Sequence, residues 1–159
     1  MLRIDAATDA DVPLILRLIT ALADYEKLTH QVVATEDALR ATLFGPTPSA
    51  HVVIARVDDE PAGFALWFYN YSTFLAKPGL YLEDLFVYPQ FRGQGVGRAL
   101  LQHLASIAVE RGCGRMEWAV LDWNAPAIGF YRRLGATLLE DWRVCRVTGD
   151  TLRALGGRS

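Results

Sequence analysis

Apolar residues recur along this chain with two periods, and the points where one gives way to the other divide it into elements. Residues 2–4 alternate as a short strand. Thr8-Asp9-Ala10-Asp11 has the make-up of a helix start, a hydroxyl capper followed by acids in the first turn. Ile15, Leu18, Ile19, Leu22 and Tyr25 follow at helical spacing, so this helix buries one stripe. Thr35-Glu36-Asp37 opens a second, shorter helix that Gly45 and Pro46 end. Residues 51–57 are β-branched and apolar, Asp58-Asp59-Glu60-Pro61 turns, and residues 63–71 return as the second arm of a hairpin. Residues 80–87 form a third strong strand, 89–97 a loop, and 98–111 a long amphipathic helix stopped by Gly112. A strand over 116–121, a short helix over 125–133 and a closing hairpin over 136–147 complete the pattern. The order predicts an α+β fold, a mostly antiparallel mixed central sheet of about six or seven strands flanked by four helices.

Composition narrows the picture. The chain has 159 residues, which fits one domain over residues 1–159, and its 52% hydrophobic content suffices for one continuous core. A net charge of −2 offers no basic face for nucleic acid. The first residues carry no long apolar stretch, so neither a signal peptide nor a membrane span is expected. Cys113 and Cys145 lack metal-ligand spacing and do not make a disulfide framework. His30, His51 and His103 are scattered, so no metal is expected, and a reducing cytoplasm is the default setting.

One loop points to a ligand. Tyr88-Pro89-Gln90-Phe91-Arg92-Gly93-Gln94-Gly95-Val96-Gly97 leaves a strand and runs directly into a helix. Three glycines at alternate positions remove side chains that would keep a ligand from the backbone. N–H groups at the helix start and the helix dipole then favour an anion, which is what a pyrophosphate site requires. No lysine follows these glycines, which excludes the triphosphatase phosphate loop, and Arg98 and Leu100 fall where a dinucleotide fingerprint needs glycine. Both of those motifs also belong to parallel βαβ units, which the element order does not supply. The remaining match is R-x-x-G-x-G at Arg92, Gly95 and Gly97; taken alone, it also describes a glycine-rich turn with no ligand.

With this loop the chain resembles the Gcn5-related N-acetyltransferase (GNAT) superfamily, whose pyrophosphate motif is R-x-x-G-x-G after the fourth strand. Asn124-Ala125-Pro126-Ala127-Ile128-Gly129-Phe130-Tyr131-Arg132-Arg133-Leu134-Gly135-Ala136 is similar to a second family stretch, an Asn followed by an aromatic pair, a basic residue and Gly-Ala. Leu22-Ala23-Asp24-Tyr25-Glu26, Gln31-Val32-Val33, Tyr81-Leu82-Glu83-Asp84-Leu85-Phe86-Val87 and Trp123-Asn124 resemble the diamine (spermidine/spermine) and thialysine acetyltransferase branch. The resemblance runs over nearly the whole chain. It implies acetyl-coenzyme A as cofactor, a small-molecule primary amine as acceptor, and a homodimer.

It also implies roles. Arg92, Gly93, Gln94, Gly95, Val96, Gly97 and Arg98 would bind the pyrophosphate. Leu85, Phe86 and Val87 resemble the backbone stretch that pairs with pantetheine as a strand would. Asn124 would hydrogen-bond the pantetheine arm or cap its helix, roles that are compatible. Direct transfer needs a neutral amine, and an alkyl ammonium titrates near 10, so a base must remove its proton. Glu83 is the candidate base, because the branch places a carboxylate there. Asp84 should point to the opposite sheet face, so the two acids line one pocket only if a bulge intervenes, and Asp84 is the secondary candidate; either acid also reads as a solvated or salt-bridged strand residue. Tyr131 is the candidate general acid toward the leaving thiolate, with Phe130 better suited to the core. Tyr25 and Glu26 match positions lining the amine pocket, where Glu26 would attract a second cation; an exposed helix-end acid is an equal reading. The polyamine enzymes carry an aspartate and a tryptophan where Ser72 and Phe74 fall, which puts long polyamines in doubt and leaves a thialysine-like amino acid or another short amine at least as suitable. Cys145 reads as core, and Trp67, Trp118, Trp123 and Trp142 as core or dimer contacts.

The expectation is an acetyl-CoA-dependent N-acetyltransferase acting in a ternary complex. The alternatives are an acyl-CoA-binding regulatory module without turnover and a protein or peptide N-acetyltransferase.

Overall fold

His51–Val57 (β2) and Glu60–Ser72 (β3) close around Asp58 and Asp59, whose φ angles of 49° and 68° are those of a tight hairpin matched to the twist of its strands. These and the other elements come from a computed structural model describing residues 1–158. Leu2–Ala6 (β1) pairs antiparallel with β2, and Lys77–Val87 (β4) pairs antiparallel with β3. Met116–Trp118 (β5) adds a short parallel edge opposite Leu80, Tyr81 and Leu82. The sheet therefore runs in chain order, β1-β2-β3-β4-β5, mixed and mostly antiparallel as the pattern predicts.

The chain packs as two compact units, Met1–Leu121 and Asp122–Ser159. In the first, Val12–Tyr25 (α1) starts from a single 3-10 turn that Thr8 and Asp11 close as a capping box. Glu36–Phe44 (α2) is capped by Thr35, whose hydroxyl accepts from the Ala38 N–H at 3.1 Å. Val12, Ile15, Leu18, Leu39 and Leu43 of these helices pack with Ile54, Phe64, Leu66 and Phe86 into one core. Val53, Ala55, Ala65 and Trp67 alternate with those strand residues and are buried too, so both faces of the sheet are covered. Val96–Glu110 (α3) lies against β3 and β4 and buries Val96, Leu100, Leu101 and Leu104.

The second unit carries Ala125–Arg133 (α4) and Gly149–Leu155 (α5). It corrects two expectations. Residues 136–147 form no strand, and α5 was not anticipated, so the described residues hold five strands and five α-helices. Trp142 and Val144 stay 79% and 82% exposed. Alternation marks a segment able to be a strand, but a ladder partner makes it one. Likewise β5 ends at Trp118 where residues 116–121 were expected, and Cys145 is exposed where core was expected.

Candidate active site

Leu66 stands opposite Asp84, and Trp67 stands opposite Leu82, so Glu83 faces no residue of β3. β4 thus carries a bulge at the first of its two acids. In a regular strand Glu83 and Asp84 would lie on opposite faces; the extra residue re-aims side chains at this point. Glu83 is exposed and Asp84 half-buried. Burial, with the charges of Glu83 and then Glu26, pushes the Asp84 carboxyl up to about 7. Glu26 caps the C-terminus of α1, and burial raises its own pKa. The fold therefore gathers carboxylates from a strand bulge and a helix end, separated by more than fifty residues of sequence, close enough to sense one another.

Beyond Leu82 the outer edge of β4 has lost its β5 partner, so the backbone of Leu85, Phe86 and Val87 is paired on the β3 side only within the sheet. The chain then enters the glycine loop. Gly93 and Gly95 have φ of 76° and 82°, a left-handed conformation that side chains disfavour, and a Cβ at either would meet nothing within 4 Å. Gly95 is the N-cap of α3 and offers no side-chain acceptor, unlike Thr35 on α2. The first N–H groups of α3 are thus left without a cap. Arg98, in that first turn, is exposed and has no acidic partner among the described residues. Unfilled space, uncapped N–H groups and an unneutralised cation suit a pyrophosphate.

Arg92 behaves differently from its neighbours. Its Nε–H donates to the Val87 carbonyl at 2.9 Å, and its guanidinium carbon lies 4.9 Å from the centre of the Tyr25 ring and 5.5 Å from that of Phe86. The sequence reading assigned Arg92 to the cofactor and Tyr25 to the amine; it missed that they touch. The side chain of Gln94 is also held internally, donating to the Gln90 carbonyl at 3.3 Å.

In the second unit Asn124 is buried, and its side-chain oxygen accepts from the Ala127 N–H at 3.4 Å, which establishes the helix cap. Tyr131 is half-buried on α4, and Phe130, expected in the core, is no more than half-buried beside it, with ring centres 5.6 Å apart. Ser72 is buried, and its hydroxyl accepts from the Leu75 N–H at 3.3 Å in the β3–β4 turn, whereas Phe74 is fully exposed. Of the tryptophans, Trp67 is core while Trp123 and Trp142 are 47% and 79% exposed. A separate cleft of about 500 Å³, lined among others by His51, Trp67 and His103, includes none of the expected site residues. Among the described residues no His, Cys, Asp or Glu group has a metal-holding arrangement, and no helix is long and apolar enough to cross a membrane.

Comparison with known proteins supplies the family. Residues 17–136 match the acetyltransferase (GNAT) family model. The chain is 40% identical to the thialysine N-epsilon-acetyltransferase of Bos taurus, over 96% of this chain and 95% of that protein. It is 37% identical to the L-ornithine N5-acetyltransferase of Arabidopsis thaliana, over 96% of this chain and 87% of the relative. Among solved structures, an integron cassette protein from the mobile metagenome of V. cholerae superposes with a TM-score of 0.81 at 27% identity, covering 98% of this chain and 97% of that one. An aminoglycoside acetyltransferase from an uncultured soil sample shares the fold with a TM-score of 0.78 at 20% identity, over 94% and 97% of the two chains. The chain belongs to the GNAT acetyltransferase family and is an N-acetyltransferase enzyme.

Proposed function

We propose that the chain, acting as one acetyltransferase domain, moves the acetyl group of acetyl-coenzyme A to the side-chain amine of a short amino-acid-like diamine, of the kind that thialysine and ornithine represent. The observation that carries this is the bulged Glu83-Asp84 pair, with Asp84 near 7 and Glu26 close enough for its charge to act on it. Relatives named for thialysine and ornithine support the acceptor class, and so does Ser72, which is spent on its turn and brings no second charge to hold a long polyamine.

When bound, the cofactor supplies the acetyl group as a thioester, so no protein nucleophile is required. The uncapped N–H groups of Val96, Gly97 and Arg98 with the Arg98 side chain hold the pyrophosphate, while Gly93 and Gly95 keep the approach open. The edge of Leu85, Phe86 and Val87, apart from the Val87 carbonyl that Arg92 occupies, offers backbone groups to the pantetheine arm, and Asn124 is the proposed side-chain contact to it. Tyr25 and Glu26 line the amine side, where Glu26 attracts the cationic substrate.

The acid pair removes the proton from the incoming ammonium. A base works best with a pKa near the working pH, which the half-buried Asp84 meets. Glu83, exposed on the bulge, raises Asp84 and can pass the proton on to water. Tyr131 is the proposed donor to the departing thiolate, on the family resemblance. The homodimer and the cytoplasmic setting implied by that resemblance complete the proposal. Incubation with acetyl-CoA and L-ornithine, followed by mass spectrometry, should find one acetyl group on the side-chain nitrogen. Acetylation at the α-amine alone, or none for ornithine and thialysine alike, would overturn the acceptor assignment.

A further inference from the structure

We propose that Arg92 is a positioning residue that couples the cofactor loop to the amine side of the site through the ring of Tyr25. Arg92 opens the glycine loop, yet its Nε–H is fixed to the Val87 carbonyl at the end of β4. Its planar guanidinium lies over Phe86 of β4 and over Tyr25, the last residue of α1. A guanidinium over an aromatic face is held by the ring quadrupole and by stacking, which an ammonium does not reproduce. Glu26 follows Tyr25 directly and is one of the charges that Asp84 senses. One side chain thus touches the strand that leads into the loop and the helix end that carries the amine-side acid.

Ordering the loop around a pyrophosphate fixes Arg92, and fixing Arg92 holds Tyr25 and the end of α1 in place. By linkage, whatever orders that helix end strengthens cofactor binding by the same factor. The inference rests on the reading above of Tyr25 and Glu26 as the amine side, but its first readout is cofactor affinity without turnover.

Calorimetry with coenzyme A tests it in four proteins: the parent, Tyr25→Leu, Arg92→Met and the double variant. Tyr25→Leu should weaken coenzyme A by about 3- to 10-fold although Tyr25 lies outside the loop, Tyr25→Phe should restore it, and the Tyr25→Leu effect should vanish in the Arg92→Met background. Unchanged affinity in a folded Tyr25→Leu variant, or an equal loss in both backgrounds, overturns the coupling. Should Tyr25→Leu fail to fold, Arg92→Lys serves: it retains the charge, and the coupling predicts a raised KM for the amine with kcat largely kept. An amine KM equal to the parent's overturns it. A parent protein that binds no coenzyme A would overturn the functional reading as well, whereas binding with Tyr25→Leu unaffected removes the coupling alone.

Discussion

Glu83 and Asp84 are neighbours at a bulge that leaves Glu83 with no partner on β3, and the Asp84 carboxyl is raised by its burial first and by the Glu83 charge second. The two acids are covalent neighbours with unlike surroundings, one exposed and one half-buried. Unlike environments are how a site separates the protonation states of neighbouring carboxyls.

The pH profile should report this pair. With Asp84 near 7, kcat/KM should rise as pH rises through about 7, since the base must be ionised. Asp84→Asn should remove that limb and lower kcat/KM by about a hundredfold. Glu83→Gln deletes a charge that holds Asp84 up, so the limb should move to lower pH; a limb that stays in place would remove Glu83 as a neighbour of consequence.

Stability should move against activity at the same residue. The folded-state pKa of Asp84 lies above its ordinary value, so its ionisation opposes folding. The penalty is absent below the unfolded value of 3.8, grows as pH rises toward about 7, and is complete above it. Asp84→Asn should therefore stabilise the protein at pH 8, by an order of about 2 kcal/mol, and by little at pH 4. Chemical denaturation at the two pH values checks this, and equal gains at both would contradict it.

The glycine loop separates backbone strain from ligand space. Gly95→Ala should cost about 1–2 kcal/mol, because φ of 82° is unfavourable for alanine. Gly95→Asn tolerates that conformation better, and a Cβ there meets nothing within 4 Å, so it should fold nearer to normal than Gly95→Ala. Its side chain nevertheless enters the space in front of α3, and coenzyme A affinity should fall by about tenfold or more. Full affinity in Gly95→Asn would place the pyrophosphate elsewhere.

Tyr131→Phe tests the proton donor. Turnover should fall by about a hundredfold with coenzyme A affinity largely kept. Unchanged turnover would remove Tyr131 from the chemistry.

Much of this was legible in the chain. Thr8, Thr35 and Asn124 announce helix starts through local capping chemistry, and β2 and α4 begin and end where periodicity and turn residues put them. The loop from Arg92 to Arg98 was readable because glycine spacing and the following helix are both local. What escaped depends on distant partners. Nothing in Leu82-Glu83-Asp84-Leu85 states that β3 skips a residue there, since register is decided between two strands. The stacking of Arg92 on Tyr25 joins positions far apart in the chain. Residues 136–147 have strand-like alternation without a paired ladder, a distinction that alternation alone does not contain.

Thiol release from acetyl-CoA across thialysine, L-ornithine, lysine, putrescine and spermidine tests the central claim most directly. The account predicts clear turnover, with thialysine or ornithine ahead of spermidine. Coenzyme A binding with no thiol release for any of these amines would contradict it, and would make the chain a binder of the cofactor or an enzyme for another kind of acceptor.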